Sequence, residues 1–148
     1  MGREMNDNFD WQKFLSGILE KFGCQTGTIH RTAEDGVTLA LVCQIGVPEM
    51  LMEKISLIPF GKGIAGAAAE RKEPVELCNL QQDLGGVAKP DARQSGVAGS
   101  IAQPIFASDS LQVLGTLGIG KYIPYEFTAA EKESLTAVAE EIASHFAH

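Results

Sequence analysis

An apolar helical stripe at each end of the chain, with alternating segments between them, restricts the fold more than any other feature. Trp11, Phe14, Leu15, Ile18, Leu19 and Phe22 recur at helical spacing and make one apolar face. Asp10 can cap the start and Gly23 can end it, so a helix is expected over 10–22. Near the other end Leu135, Val138, Ile142 and Phe146 form a second face. It follows Thr128 and Glu131, whose spacing is that of a capping box. Each stripe needs an apolar surface to cover. Terminal helices around an antiparallel sheet define an α+β domain. Apolar surface left over on the helices would pair with a second copy, so a homodimer is expected.

The middle supplies the sheet. Val37, Leu39, Leu41, Cys43 and Ile45 alternate with Thr38, Ala40 and Gln44, which reads as a strand over 37–45 with those five residues on one face. A more weakly marked strand precedes it over 25–31, and Glu34-Asp35-Gly36 between them is a hairpin turn signal. Pro48 opens a short helical stretch over 49–55, followed by a brief strand over 57–60. A helix over 63–71 carries the run Ala67-Ala68-Ala69. A strand over 75–80 leads into an irregular segment over 81–97. Strands over 100–106 and 113–121 are joined at Ser108-Asp109-Ser110. The sum is about five to six strands, with no internal repeat.

Composition removes several classes. The chain has 148 residues and a net charge of -7, with a pI near 4.9. That argues against nucleic acid and against an anionic membrane surface, because both need basic clusters. No apolar run approaches the roughly 20 residues of a membrane span. Met1-Gly2-Arg3-Glu4-Met5-Asn6-Asp7 lacks the apolar core of a signal peptide, and Asn6 stands where a myristoylation signal has Ser or Thr. A cytoplasmic single domain over 1–148 is expected, with 1–8 a flexible N-terminus. Cys24, Cys43 and Cys78 are widely spaced and odd in number, which reads as buried, reduced thiols.

Two segments invite a ligand. Gly61-Lys62-Gly63-Ile64-Ala65-Gly66 literally matches G-x-G-x-x-G between a strand and a helix. The chain has no repeated βαβ units and no Walker pattern, so a dinucleotide site is not expected. The expectation is a helix opening at Lys62 and Gly63, with the N–H groups of Ile64, Ala65 and Gly66 around a small anion or carbonyl; the alternative is that the glycines only permit a tight turn and close packing on the sheet. The long unperiodic segment 81–97 reads as a lid. It carries Asp83, Lys89, Asp91 and Arg93, and the Arg93 guanidinium suits a planar oxyanion. Lys89, Ser95, Val97, Ser100 and Gln103 complete the candidate ligand set. His30, His145 and His148 show no metal-ligand spacing, and His30 reads as a surface or core residue, with a place facing the pocket as the alternative. Tyr122 and Tyr125 are expected to pack the start of the last helix. No metal, cofactor or catalytic constellation is expected.

The order of these pieces resembles a GAF domain over nearly the whole chain. The resemblance is carried by the helix–hairpin opening and by Ile58-Pro59-Phe60-Gly61-Lys62-Gly63-Ile64-Ala65-Gly66. Pro74-Val75 with Asn79-Leu80, the pair Ser100–Ile105 and Leu114–Ile119, and Phe127-Thr128 with Glu131 add to it. It implies a central antiparallel sheet, terminal helices on one face, and a pocket under loops and short helices on the other. Members of the family bind cyclic nucleotides, tetrapyrroles, haem, small metabolites or anions, nitrate in one branch, or only other proteins. The free methionine sulfoxide reductases are an enzyme branch, with cysteines in and around the segment corresponding to 81–97. Here the segment 81–97 has none, and Cys78 lies just upstream. Asn79, not His, follows Cys78, unlike the phytochrome pattern, and the Asn-Lys…Phe…Asp-Glu series of cyclic-nucleotide binders is absent. The resemblance therefore implies a free-standing, non-enzymatic sensor of a small polar or anionic, nitrate-like metabolite. Its terminal helices would signal to a separate protein such as a histidine kinase. The alternatives are a thiol-dependent methionine sulfoxide reductase using Cys78 with Cys43 or Cys24, and a dimerisation module with a vestigial pocket.

Overall fold

The computed structural model describes residues 9–79 and 96–146. Helix α1 (Trp11–Phe22) leads into strands β1 (Thr26–Thr32) and β2 (Thr38–Ile45). A 3-10 turn (Glu49–Leu51), helix α2 (Met52–Ser56) and strand β3 (Leu57–Pro59) follow. Then come α3 (Gly63–Arg71), β4 (Val75–Leu77), β5 (Gly99–Phe106), β6 (Val113–Lys121) and α4 (Ala129–Phe146). The strands form one six-stranded sheet in the order β3-β2-β1-β6-β5-β4, with every pair antiparallel.

The terminal helices form where the stripes place them. Asp10 accepts the Lys13 N–H at 3.0 Å, and Gly23 ends α1 at φ 66°. Thr128 Oγ1 accepts the Glu131 N–H at 3.0 Å, while the Thr128 N–H donates to Glu131 at 2.8 Å, which closes the capping box. Both helices lie on one face of the sheet. Leu15, Leu19 and Phe22 of α1 and Leu135, Ile142 and Phe146 of α4 bury Ile29, Ile101, Ile105, Leu117 and Ile119. The other face is covered by α3, whose Ala67 and Ala68 pack on Val75 and Ala102. Small side chains there let the helix approach the strands closely.

Two expectations need correcting. The alternation over 37–45 does not hold as one face. Ile29 pairs with Cys43 but His30 pairs with Leu41, so Val42 is a bulged extra residue. The bulge reverses the side-chain parity. Leu39 packs under α3 with Ala69 and Val113, whereas Cys43 joins the core beneath the terminal helices. Val37 falls outside the strand and is 57 % exposed, its N–H bonded to Asp35 in the turn. The second correction concerns Cys78, expected to be buried within a strand. Strand β4 ends at Leu77, and Cys78 is exposed.

Candidate ligand site

The opening of α3 is built from glycine geometry. Lys62 is the N-cap with φ −102° and ψ 128°, and its side chain makes no capping bond. Gly63 sits at φ 68°, a conformation that side chains disfavour. Helix geometry leaves the Gly63, Ile64 and Ala65 N–H groups without an intrahelical acceptor. Gly66 was expected among these donors and is not one. Its N–H donates to the Lys62 carbonyl at 3.0 Å, the first bond of the helix. Its own carbonyl accepts the Gly61 N–H at 2.7 Å, and a Cβ added there would lie 2.5 Å from the Pro59 carbonyl oxygen. Gly66 is a packing residue.

Ile64 carries this opening onto the sheet, where it meets Val97 and Leu77. Ser100 pairs with Leu77 on one side and Gly120 on the other. Its hydroxyl donates to the Ile119 carbonyl at 3.2 Å and keeps its lone pairs. Beneath lie Gly118 and Gly120. A Cβ on Gly120 would come within 2.7 Å of Thr26 Oγ1 and 2.8 Å of Val97, and one on Gly118 within 3.1 Å of Thr28 Oγ1. These glycines make room on the α3 face for two threonine hydroxyls and for Val97. Gln103 does not belong here. It shares parity with Ile101 and Ile105, pairs with Leu117, and lines a groove against Ala139 and Ala143 of α4. That placement is legible in the sequence, because residues two apart in a strand share a face. Lys89, Arg93 and Ser95 lie outside the described residues.

The same face holds His30, which the sequence left between a surface, a core and a pocket-facing place. His30 is 1 % exposed, and its Nε2 lies 2.8 Å from the Ile55 carbonyl. A carbonyl only accepts, so Nε2 carries the hydrogen. Burial holds the imidazole below its ordinary pKa, and the neutral form prevails. Its partner across the ladder is Thr116, also 1 % exposed. The signal available in the sequence was position: His30 falls at the same parity as Thr26 and Thr28.

The family model of the GAF domain matches residues 12–147. The chain belongs to the GAF domain family. Its fold is shared with the GAF domain of a phosphoenolpyruvate-protein phosphotransferase from Coxiella burnetii, at TM-score 0.76 and 20 % identity over 91 % of this chain and 79 % of that one. It is shared with a domain of a putative two-component sensor histidine kinase protein from Sinorhizobium meliloti, at TM-score 0.73 and 16 % identity over 94 % and 91 %. A free methionine-R-sulfoxide reductase from Neisseria meningitidis, solved with its substrate, is similar at TM-score 0.71 and 21 % identity over 95 % and 80 %. No curated protein sequence matches the chain.

Within this GAF domain the thiols divide by face. Cys24 and Cys43 are buried under the terminal helices, and burial pushes both up to about 11. At that value they are protonated and poor nucleophiles. A second link joins β4 to the last helix. Glu76 accepts the Phe127 N–H at 2.8 Å and pairs with Lys132 at 2.8 Å. The Cys78 carbonyl accepts the Tyr125 N–H at 2.9 Å, and Tyr125 donates to Glu131. The strand that borders the site is thus fastened to the start of α4. Among the described residues no helix is long and apolar enough to cross a membrane, and no group of three or more His, Cys, Asp or Glu could hold a metal ion.

Proposed function

We propose that this GAF domain is a regulatory sensor that binds a small polar or anionic molecule on the α3 face of its sheet. The observation that supports the reading is that Gly118 and Gly120 give way to the Thr28 and Thr26 hydroxyls and to Val97, which packs on Ile64 at the start of α3. The amides of Gly63, Ile64 and Ala65 suit an oxyanion or carbonyl. Lys62, Val97 and Ser100 border it, and the charge and hydrogen-bonding groups of Lys89, Arg93 and Ser95 suit the same class of ligand. A nitrate-like ion and a larger metabolite acid both fit this chemistry. The bound state passes through Glu76 and Tyr125 to α4, and from the terminal helices to a signalling protein such as a histidine kinase. A ligand achieves this only by favouring one helix arrangement over another.

A thermal-shift screen of the full chain against nitrate, other anions, amino acids and nucleotides tests the reading. At least one compound raises Tm as expected for a ligand of the folded state. Arg93→Ala weakens that compound without lowering the ligand-free Tm. No response to any compound favours a dimerisation module instead. The exposure of Cys78 supports a second reading, a thiol-dependent reductase. Against it, Cys24 and Cys43 lie under the opposite face of the sheet. Methionine sulfoxide turnover with a thiol reductant, lost in Cys78→Ser, would replace the sensor.

A further inference from the structure

We infer that His30 and Thr116 form the recognition floor of this site and select small molecules that present an N–H or O–H donor. The inference rests on the sensor reading and deepens it by naming the ligand class. Among the described residues, the buried side-chain atoms without a hydrogen-bond partner are Trp11 Nε1, His30 Nδ1 and Thr116 Oγ1. Trp11 lies within an aromatic cluster with Phe9, Phe14 and His145, packed against the core of the other face. The remaining two are directly opposite one another on β1 and β6. An unpaired buried polar atom is costly, and native proteins keep few of them. Two on facing residues mark a place where a polar group is meant to bind.

The tautomer decides which group. Nε2 donates to Ile55, so Nδ1 presents a lone pair. The Thr116 hydroxyl can donate or accept. Nitrate or acetate offers acceptors only and would meet the Nδ1 lone pair unfavourably. A second proton on the ring would remedy this, but burial disfavours the cation. A ligand N–H or O–H meets an acceptor at Nδ1 and a compatible hydroxyl at Thr116. Thr26 and Thr28 continue this polar strip along β1, opposite Gly120 and Gly118. Small zwitterions, hydroxy acids and amides have the required donor, and the acids among them also suit the α3 amides.

The test uses the full-length chain with nitrogen-15 in its histidine rings. Acetamide and glycine serve as donor-bearing probes, nitrate and acetate as acceptor-only probes. Long-range proton–nitrogen spectra report Nδ1 of His30, and the backbone amides of Ile64 and Ala65 report entry into the site independently. Acetamide or glycine moves the Nδ1 signal upfield from its free lone-pair position, and nitrate and acetate leave it in place. Thr116→Val weakens the responding probe about tenfold, the loss of one hydrogen bond, without lowering Tm. A probe that moves the Ile64 and Ala65 amides but not Nδ1 overturns the inference and leaves the sensor reading standing. Silence at both positions overturns the inference, and the thermal-shift screen then decides the sensor reading by itself. An Nδ1 signal already bonded in the free chain and unmoved by every probe assigns the pair to each other or to trapped water, and overturns the inference. So does protonation of Nδ1 by nitrate or acetate.

Discussion

Gly66 shows how a single hydrogen atom shapes the site. The turn before α3 folds back so far that the Gly66 Cα faces the Pro59 carbonyl. Gly66→Ala forces that backbone apart, and we expect a loss of about 2–4 kcal/mol, measured by urea denaturation. An unchanged midpoint would show that the turn relaxes freely. His30 sets a pH dependence. Its folded pKa is lowered from about 6.5, so the unfolded chain binds the proton more readily. The stability of the neutral ring is whole above 6.5 and is lost as pH falls through the lower folded value. The denaturation free energy should therefore fall between about pH 7.5 and pH 5.5, and His30→Phe should flatten that part of the slope. Equal slopes in both proteins would contradict it.

At the level of elements, the bond between β4 and α4 is the one to break. The Glu76–Lys132 pair is weak because Lys132 is 46 % exposed and solvent screens its charge. The charged bond from the Phe127 N–H to the less exposed Glu76 carboxylate is the stronger part. Glu76→Ala should cost about 1–2 kcal/mol, whereas Lys132→Ala should cost clearly less. Chemical denaturation of the two variants separates these contributions. Equal losses would place the stabilisation in the ion pair instead. Amide exchange at the start of α4 should quicken in Glu76→Ala, which would show that β4 holds this helix end.

For the whole molecule, the open question is how the helix layer meets another surface. A groove of about 500 Å³ runs along α1 and α4, floored by Phe14, Gly17 and Ile18 and edged by Lys13, Lys21 and Glu141. The lysines on α1 and the glutamate on α4 would complement each other across a two-fold axis, as homodimer pairing requires. Gly17 has open space where a Cβ would stand. Gly17→Glu should therefore keep or raise the Tm of the monomeric chain, measured at low concentration, through helix propensity. Where the expected homodimer forms through this groove, the same substitution should shift it to monomer in analytical ultracentrifugation. A wild-type chain that sediments as a monomer at all concentrations would remove the pairing.

Local patterns determined the ends of the molecule. The Asp10 cap, the Gly23 stop, the Thr128–Glu131 box and both stripes act over three or four residues, and all of them could be read before any coordinate. The order of motifs also carried the family and the α+β class. Even the placement of Gln103 was open to plain period-two reading. The bulge at Val42 was not, because an extra residue in a strand shows only against the partner's register. That single insertion decides why Leu39 and Cys43 face opposite sides. Nor could sequence tell that Gly66 closes a turn while Gly63 opens an amide, since both are glycines in one motif. The His30–Thr116 pair is the clearest case. Its members lie far apart in the chain, and only the antiparallel register of β1 on β6 sets an imidazole opposite a hydroxyl and buries both.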